Sequence, residues 1–131
     1  MTGFLLDSHI WFWYLTGSER LPAGLCKKID THRDQCWLSP ISVWEIGLLA
    51  ARGRIAIDGD FHAWASRATE LFPLKDAKLN REVALTVHES ALPHRDPADH
   101  FLAATALVYD LTLMTVDRRL TKAKWLPTLS R

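Results

Sequence analysis

Two short apolar runs in this chain stop on an aspartate, and each is followed at once by residues suited to a helix. Phe4-Leu5-Leu6 ends at Asp7, and the run from Leu111 to Val116 ends at Asp117. Between them the chain keeps alternating brief apolar stretches with longer amphipathic ones, the pattern of an α/β domain around a parallel sheet. In such sheets ligands bind in the crevice beyond the carboxyl ends of the strands, so an acid directly after a strand stands where chemistry is done.

The spacing predicts the remaining elements. A helix rich in aromatics runs from about His9 to Leu15 and closes at Thr16-Gly17; a second leads from Pro22 towards His32. Cys36-Trp37-Leu38 reads as a strand, followed by a helix from Pro40 to about Arg52 that Gly53 would terminate in a left-handed turn. Asp60 caps a helix through Leu71, and Phe72-Pro73-Leu74 is expected as an edge strand, where proline is tolerated. Helix resumes from Lys78 to Ala91, and a strongly apolar one follows Asp96-Pro97 to about Tyr109. The segment after Asp117, with Arg118, Arg119, Lys122, Lys124 and Arg131, reads as a basic, solvated tail or a basic edge for a polyanion.

At 131 residues the chain has the length of one compact domain spanning residues 1–131, and 48% hydrophobic residues suffice for a packed core. The formal net charge of +1 excludes a simple polycation. Cys26 and Cys36 are too few for a disulfide framework and read as reduced thiols. No secretory signal is visible and no apolar stretch approaches the ~20 residues that span a bilayer, so a cytoplasmic protein is expected.

Taken singly, every acid of interest has a structural use. Asp7 and Asp117 suit helix caps; Asp96 before Pro97 is a stronger cap still. Ser42 and Glu45 fit a capping box, although Pro40 prefers the first helical position, which makes Ser39 the cap and sets Glu45 a turn further in, among apolar neighbours. Asp99 lies in the first turn of its helix, where the dipole favours an acid. Gathered at one end of a sheet, Asp7, Glu45, Asp99 and Asp117 would repel one another and call for a cation. All-oxygen ligation points to Mg2+ or Mn2+ rather than zinc, and His9, His32, His62, His88, His94 and His100 form no zinc spacing.

Four blocks occur in order: Leu5-Leu-Asp-Ser-His-Ile-Trp, Ser39-Pro-Ile-Ser-Val-Trp-Glu-Ile, His94-Arg-Asp-Pro-Ala-Asp-His and Thr115-Val-Asp-Arg-Arg-Leu. Over nearly the whole chain they resemble the blocks of PIN-domain proteins, most closely the VapC-type toxins of bacterial toxin–antitoxin modules. The resemblance implies a three-layer α/β/α sandwich around a short, mainly parallel sheet. It implies Mg2+- or Mn2+-dependent endoribonuclease activity, an RNA substrate and a small cognate antitoxin. The family's acids fall on Asp7, Glu45, Asp99 and Asp117, as both catalytic and metal-holding residues, with Asp96 as a cap and Thr115 as the small hydroxyl residue beside the last acid. Two departures stand out: His100 replaces the usual Arg, and Ser8 the commoner Thr. A histidine at 100 would order the acid or meet phosphate more weakly and in a pH-dependent way.

In this reading Asp7 and Asp99 are the principal metal ligands, Glu45 is a ligand or orients the attacking water, and Asp117 serves a second ion or its water. Hydrolysis by water would leave a 5′-phosphate and a 3′-hydroxyl. Arg52, Arg54, Arg118 and Arg119 are candidate phosphate contacts. Trp44 is expected in the core. The consecutive aromatics Ile10-Trp-Phe-Trp-Tyr-Leu cannot all face inward, which points to a homodimer or an antitoxin groove on that helix. Two other classes compete. A phosphotransferase using Asp7 as nucleophile usually has a second acid two residues on, where this chain has His9. A catalytically weak PIN-like RNA-binding or scaffolding module would be signalled by loss of an acid, and none is missing.

Overall fold

The computed structural model describes residues 3–131. Five short strands form one parallel sheet: β1 (Phe4–Leu6), β2 (Cys36–Leu38), β3 (Lys75–Asp76), β4 (Thr112–Met114) and β5 (Thr128–Leu129), in the order β3-β2-β1-β4-β5. Side chains alternate across a strand, and this alternation divides the core. Leu5 and Leu6 are both fully buried, yet Leu6 joins Ile10, Trp11, Leu25 and Ile46 while Leu5 joins Leu102, Ala103, Leu113 and Leu120. Met114 and Leu113 split in the same way. Both sheet faces are therefore apolar, which is why the strands read as unbroken hydrophobic runs and why helices cover each side. The expected three-layer α/β/α arrangement is what the chain adopts.

Helices α1 (Ser8–Thr16), α2 (Ala23–Thr31), α3 (Pro40–Ala51), α4 (Phe61–Leu71), α5 (Arg81–Glu89), α6 (Pro97–Val108), the single turn α7 (Arg118–Thr121) and a 3₁₀ turn at Arg33–Gln35 complete the described elements. Their starts follow the predicted caps. Ser39 Oγ accepts from the Ile41 amide at 3.1 Å with Pro40 opening α3, and Asp60 Oδ2 accepts from Ala63 N at 3.0 Å. Gly53 takes the left-handed conformation (φ 69°) just past α3. No helix of the described residues is long and apolar enough to cross a membrane.

Several expectations need correction. The edge strand lies at Lys75–Asp76, not Phe72–Leu74, because Phe72 caps α4 and turns its ring onto Tyr14, 5.8 Å between centroids. α5 starts later than Lys78, since the Asn80 side chain accepts from Val83 N at 2.9 Å and fixes the boundary. The segment after Asp117 is no loose tail: α7 and then β5 add an edge to the sheet, with Leu113 and Met114 facing Thr128 and Leu129. Trp44 is 51% exposed rather than in the core. The buried line on α3 is Ser42 and Ile46, four residues apart, and position 44 projects from the opposite side of the helix. The aromatics of α1 are mostly absorbed within the chain. Trp11 is buried, and Trp11 and Phe12 pack on Trp64 of α4 at 5.8 and 5.9 Å.

Candidate active site

Chain direction across the sheet reverses at β1, with β2 and β3 on one side and β4 and β5 on the other. The carboxyl ends of β1 and β4, paired Leu6 to Met114, thus flank the place where such sheets bind ligands. Asp7 leaves β1 there and Asp117 follows β4, while the first turn of α6 brings Asp99 and α3 brings Glu45. These four acids, with Asp96, line a single cleft of about 250 Å³, together with His9, Trp13, Arg20 and Arg119.

Asp7 is the most constrained of them. It caps α1, its Oδ1 accepting from Ser8 N at 2.7 Å, and its Oδ2 accepts from Thr115 Oγ1 at 2.6 Å. The Thr115 hydroxyl is itself buried and accepts from Asp117 N at 3.1 Å, so one hydroxyl ties the ends of β1 and β4 together. Burial pushes the Asp7 carboxyl up to about 6; the Asp99 charge adds to this and the Thr115 and Ser8 bonds oppose it.

Asp99 is 4% exposed on α6, whose cap is Asp96, Oδ1 accepting from Ala98 N at 3.1 Å. Its Oδ2 is 2.8 Å from His94 Nε2 and 3.5 Å from an Arg119 terminal nitrogen. Burial again raises the carboxyl, with Asp96 and Asp117 adding to the rise and His94 opposing it. Glu45 is half-buried on α3 and is likewise raised by burial and by the charges of Asp7 and Asp96. The Ser8 hydroxyl approaches Glu45 closely enough to offset part of this, yet it closes no hydrogen bond and stays buried without a partner. Asp117 behaves oppositely. Arg119 reaches back over the α7 cap, its Nε at 3.2 Å from Oδ1 and a terminal nitrogen at 2.9 Å from Oδ2, and holds this carboxyl below the usual range.

The cleft thus gathers all four predicted acids, and Asp96 adds the expected cap. His94 escaped the sequence reading, which set the histidines aside for want of a zinc spacing; its signal was its place in the loop leading into the Asp96 cap. Arg119, a candidate phosphate contact in the sequence reading, pairs here with the acids. His100 does not line the cleft: its Nε2 bonds to the His94 backbone carbonyl, and its ring lies 5.8 Å from the His94 ring. It steadies the loop that carries His94 instead of ordering the acid directly.

Among the described residues no three His, Cys, Asp or Glu side chains are already gathered as a metal cage. The donor set nonetheless suits a hard cation. It is all carboxylate oxygen, three of its members carry raised pKa values from burial and mutual repulsion, and the Ser8 hydroxyl beside them is buried without a partner.

Comparison with known proteins accords with this geometry. Residues 4–126 match the family model described as the PIN domain. The chain is 33% identical over 123 residues to Ribonuclease VapC22 of Mycobacterium tuberculosis, covering 92% of this chain and 91% of that one. In structure it is similar to a chain of DNA-bound VapBC from Salmonella typhimurium (TM-score 0.73, 13% identity, 98% of each chain covered). It is also similar to a chain of VapBC2 from Rickettsia felis bound to a promoter DNA fragment (TM-score 0.70, 12% identity, 96% of each). FitAcB from Neisseria gonorrhoeae gives a TM-score of 0.64 at 22% identity over 97% of this chain and 96% of that one. Those structural likenesses carry the fold; the family model and the 33% relative carry membership. The chain belongs to the PIN-domain family.

Proposed function

We propose that this chain is a divalent-metal-dependent endoribonuclease, the toxin of a toxin–antitoxin pair. The observation that carries this is the meeting of Asp7, Glu45, Asp99 and Asp117 in one cleft at the switch point of a parallel sheet. The similarity to a VapC ribonuclease and to chains of VapBC complexes supports it.

A bound Mg2+ or Mn2+ would supply charge neutralisation at the phosphoryl oxygens and a more acidic water. Asp7 and Asp99 are assigned as its principal holders, with Glu45 and Asp117 beside them. Asp7 is positioned for this by Thr115 and the Ser8 amide, and Asp99 by His94. Arg119 neutralises Asp117 and leans towards Asp99, and holding a cation requires it to yield those oxygens. Glu45, raised by burial, can take a proton from an attacking water and keep it near the cleft floor.

Purified protein should cut single-stranded RNA with Mg2+ or Mn2+ and not in EDTA, leaving 5′-phosphate and 3′-hydroxyl ends; 2′,3′-cyclic phosphate ends would refute water as the nucleophile. Asp7→Asn and Asp99→Asn should each abolish cleavage in a folded protein. The toxin assignment predicts that expression arrests growth, relieved by the product of an adjacent small gene. A cytoplasmic location, a single domain over residues 1–131 and a homodimer complete the proposal.

A further inference from the structure

We infer that a second cleft, opening beside the acids, is a nucleotide subsite that stacks a base of the substrate flanking the scissile phosphate; this rests on the endoribonuclease reading above. The cleft has a volume of about 440 Å³ and shares His9, Trp13 and Arg20 with the acidic one. Beyond those three it runs along α1 past Phe12 to Leu49 at the end of α3 and to Arg54 in the following loop. The two clefts are therefore one continuous surface with opposite chemistry at its ends.

The acidic end alone would repel the polymer it has to hold. Five carboxylates line it, and of its two arginines Arg119 is bound to Asp117. No carboxylate lines the second cleft among the described residues, and it holds two exposed guanidinium groups. Neither Arg20 nor Arg54 makes an ion pair within those residues. Arg20 borders both clefts and can meet the phosphate next to the reacting one; Arg54 stands further out for the next.

The same cleft also carries a half-buried indole and an exposed imidazole. Trp13 and His9 sit one helical turn apart on α1, with ring centroids 5.7 Å from each other. Their neighbours Trp11 and Phe12 are engaged by Trp64, whereas Trp13 has His9 as its aromatic partner. Single-stranded nucleic acid is held in this way, by aromatic faces that take bases and cations that track the backbone. An apolar helix of a protein partner would have no use for two free cations in an apolar groove, so charge favours RNA as the occupant.

The test measures affinity for a labelled short single-stranded RNA by fluorescence anisotropy in EDTA, and kcat and KM for the same RNA with Mg2+. Trp13→Ala should weaken binding by about 10-fold and raise KM with kcat within about twofold, and Trp13→Phe should restore most of the loss. An abasic nucleotide at one position beside the cut should cost wild type a similar factor and cost Trp13→Ala nothing more. Arg54→Ala should lower the slope of log affinity against log salt by about 0.7, one single-strand phosphate. The abasic penalty in wild type and the Arg54→Ala slope do not depend on Trp13→Ala folding. Unchanged RNA affinity in folded Trp13→Ala, or no position where an abasic nucleotide matters, overturns the subsite and leaves the cleft a peptide groove. If wild type cleaves RNA but its KM is indifferent to Trp13, the subsite fails and the endoribonuclease stands. If wild type binds RNA through Trp13 but never cleaves it, the subsite stands and the endoribonuclease fails.

Discussion

Asp7 and Asp117 each cap the helix that follows a sheet strand, Asp7 directly after β1 and Asp117 three residues beyond the end of β4, yet they hold their charges in opposite ways. Asp7 is 7% exposed and bonded to a neutral hydroxyl and an amide, so burial dominates and its carboxyl rises to about 6. Asp117 is more open and is gripped by Arg119, so its carboxyl falls. Deeper burial at the end of β1, and the Arg119 guanidinium at Asp117, separate the two. A cation is therefore needed most at Asp7, which makes no ion pair among the described residues, and least at Asp117, which is paired with Arg119.

Asp7→Asn should have the largest effect of any single change at the site, in two opposite directions. Cleavage should fall by more than about 100-fold, since even residues standing behind metal ligands cost 10- to 100-fold when lost. Metal-free stability should rise at neutral pH. A carboxyl whose folded pKa exceeds its unfolded value stabilises the fold only while protonated. That contribution is complete below about 3.8 and is lost as pH climbs through about 6. The difference is worth roughly 3 kcal/mol at most. Thermal melts in EDTA should thus show wild type losing stability relative to Asp7→Asn between about pH 4 and 6. Equal pH profiles would mean that Asp7 is not desolvated as described, and the contrast with Asp117 would collapse.

Thr115→Val breaks the contrast from the other side, because a single hydroxyl serves both acids. It removes the donor to buried Asp7 and leaves Asp117 N without its acceptor in a partly buried turn. A loss of about 1–3 kcal/mol is expected, the usual cost of an orphaned buried polar group. Cleavage should drop about 10- to 100-fold through misplacement of Asp7, and Thr115→Ser should recover most of it. Were Thr115→Val as active as wild type, the hydroxyl would be an ornament of packing.

How much of this was readable beforehand depended on distance along the chain. Asp7 and Asp117 were legible because a strand, an acid and a helix follow one another within a few residues, and caps are local physics. The two-faced core was legible from the unbroken apolar runs. By contrast β5 was hidden: Thr128–Leu129 is two residues long, too short for an alternating pattern, and is a strand because it pairs with the edge of β4. The site's supporting side chains were hidden for a related reason. Arg119 belongs to Asp117 by proximity, but its approach to Asp99, twenty residues away, follows from how α6 and α7 are placed. His94 meets Asp99 from a loop and Trp13 lines the cleft from α1, placements that no local pattern specifies. Trp44 shows the same limit, since hydrophobic neighbours in sequence placed it inward and the turn of α3 put it in solvent.

Arg119→Ala should give the smallest change in stability and the clearest change in charge. The Arg119 side chain is 54% exposed, and ion pairs at such positions are worth about 0.2–1 kcal/mol, so the melting temperature should hardly move. Without the guanidinium the Asp117 carboxyl returns towards the ordinary range, becoming more like Asp7. The sign follows: a lowered carboxyl stabilises above its unfolded pKa and loses that contribution as pH falls through the lowered value, so any loss in Arg119→Ala appears at neutral pH and fades in acid. Removing the competitor for the oxygens of Asp117 and Asp99 should tighten Mn2+ binding several-fold, measurable by calorimetry. Weaker Mn2+ binding in this variant would mean that Arg119 holds the acids in their working places, and the cleft would then be organised by its own cation rather than waiting for one.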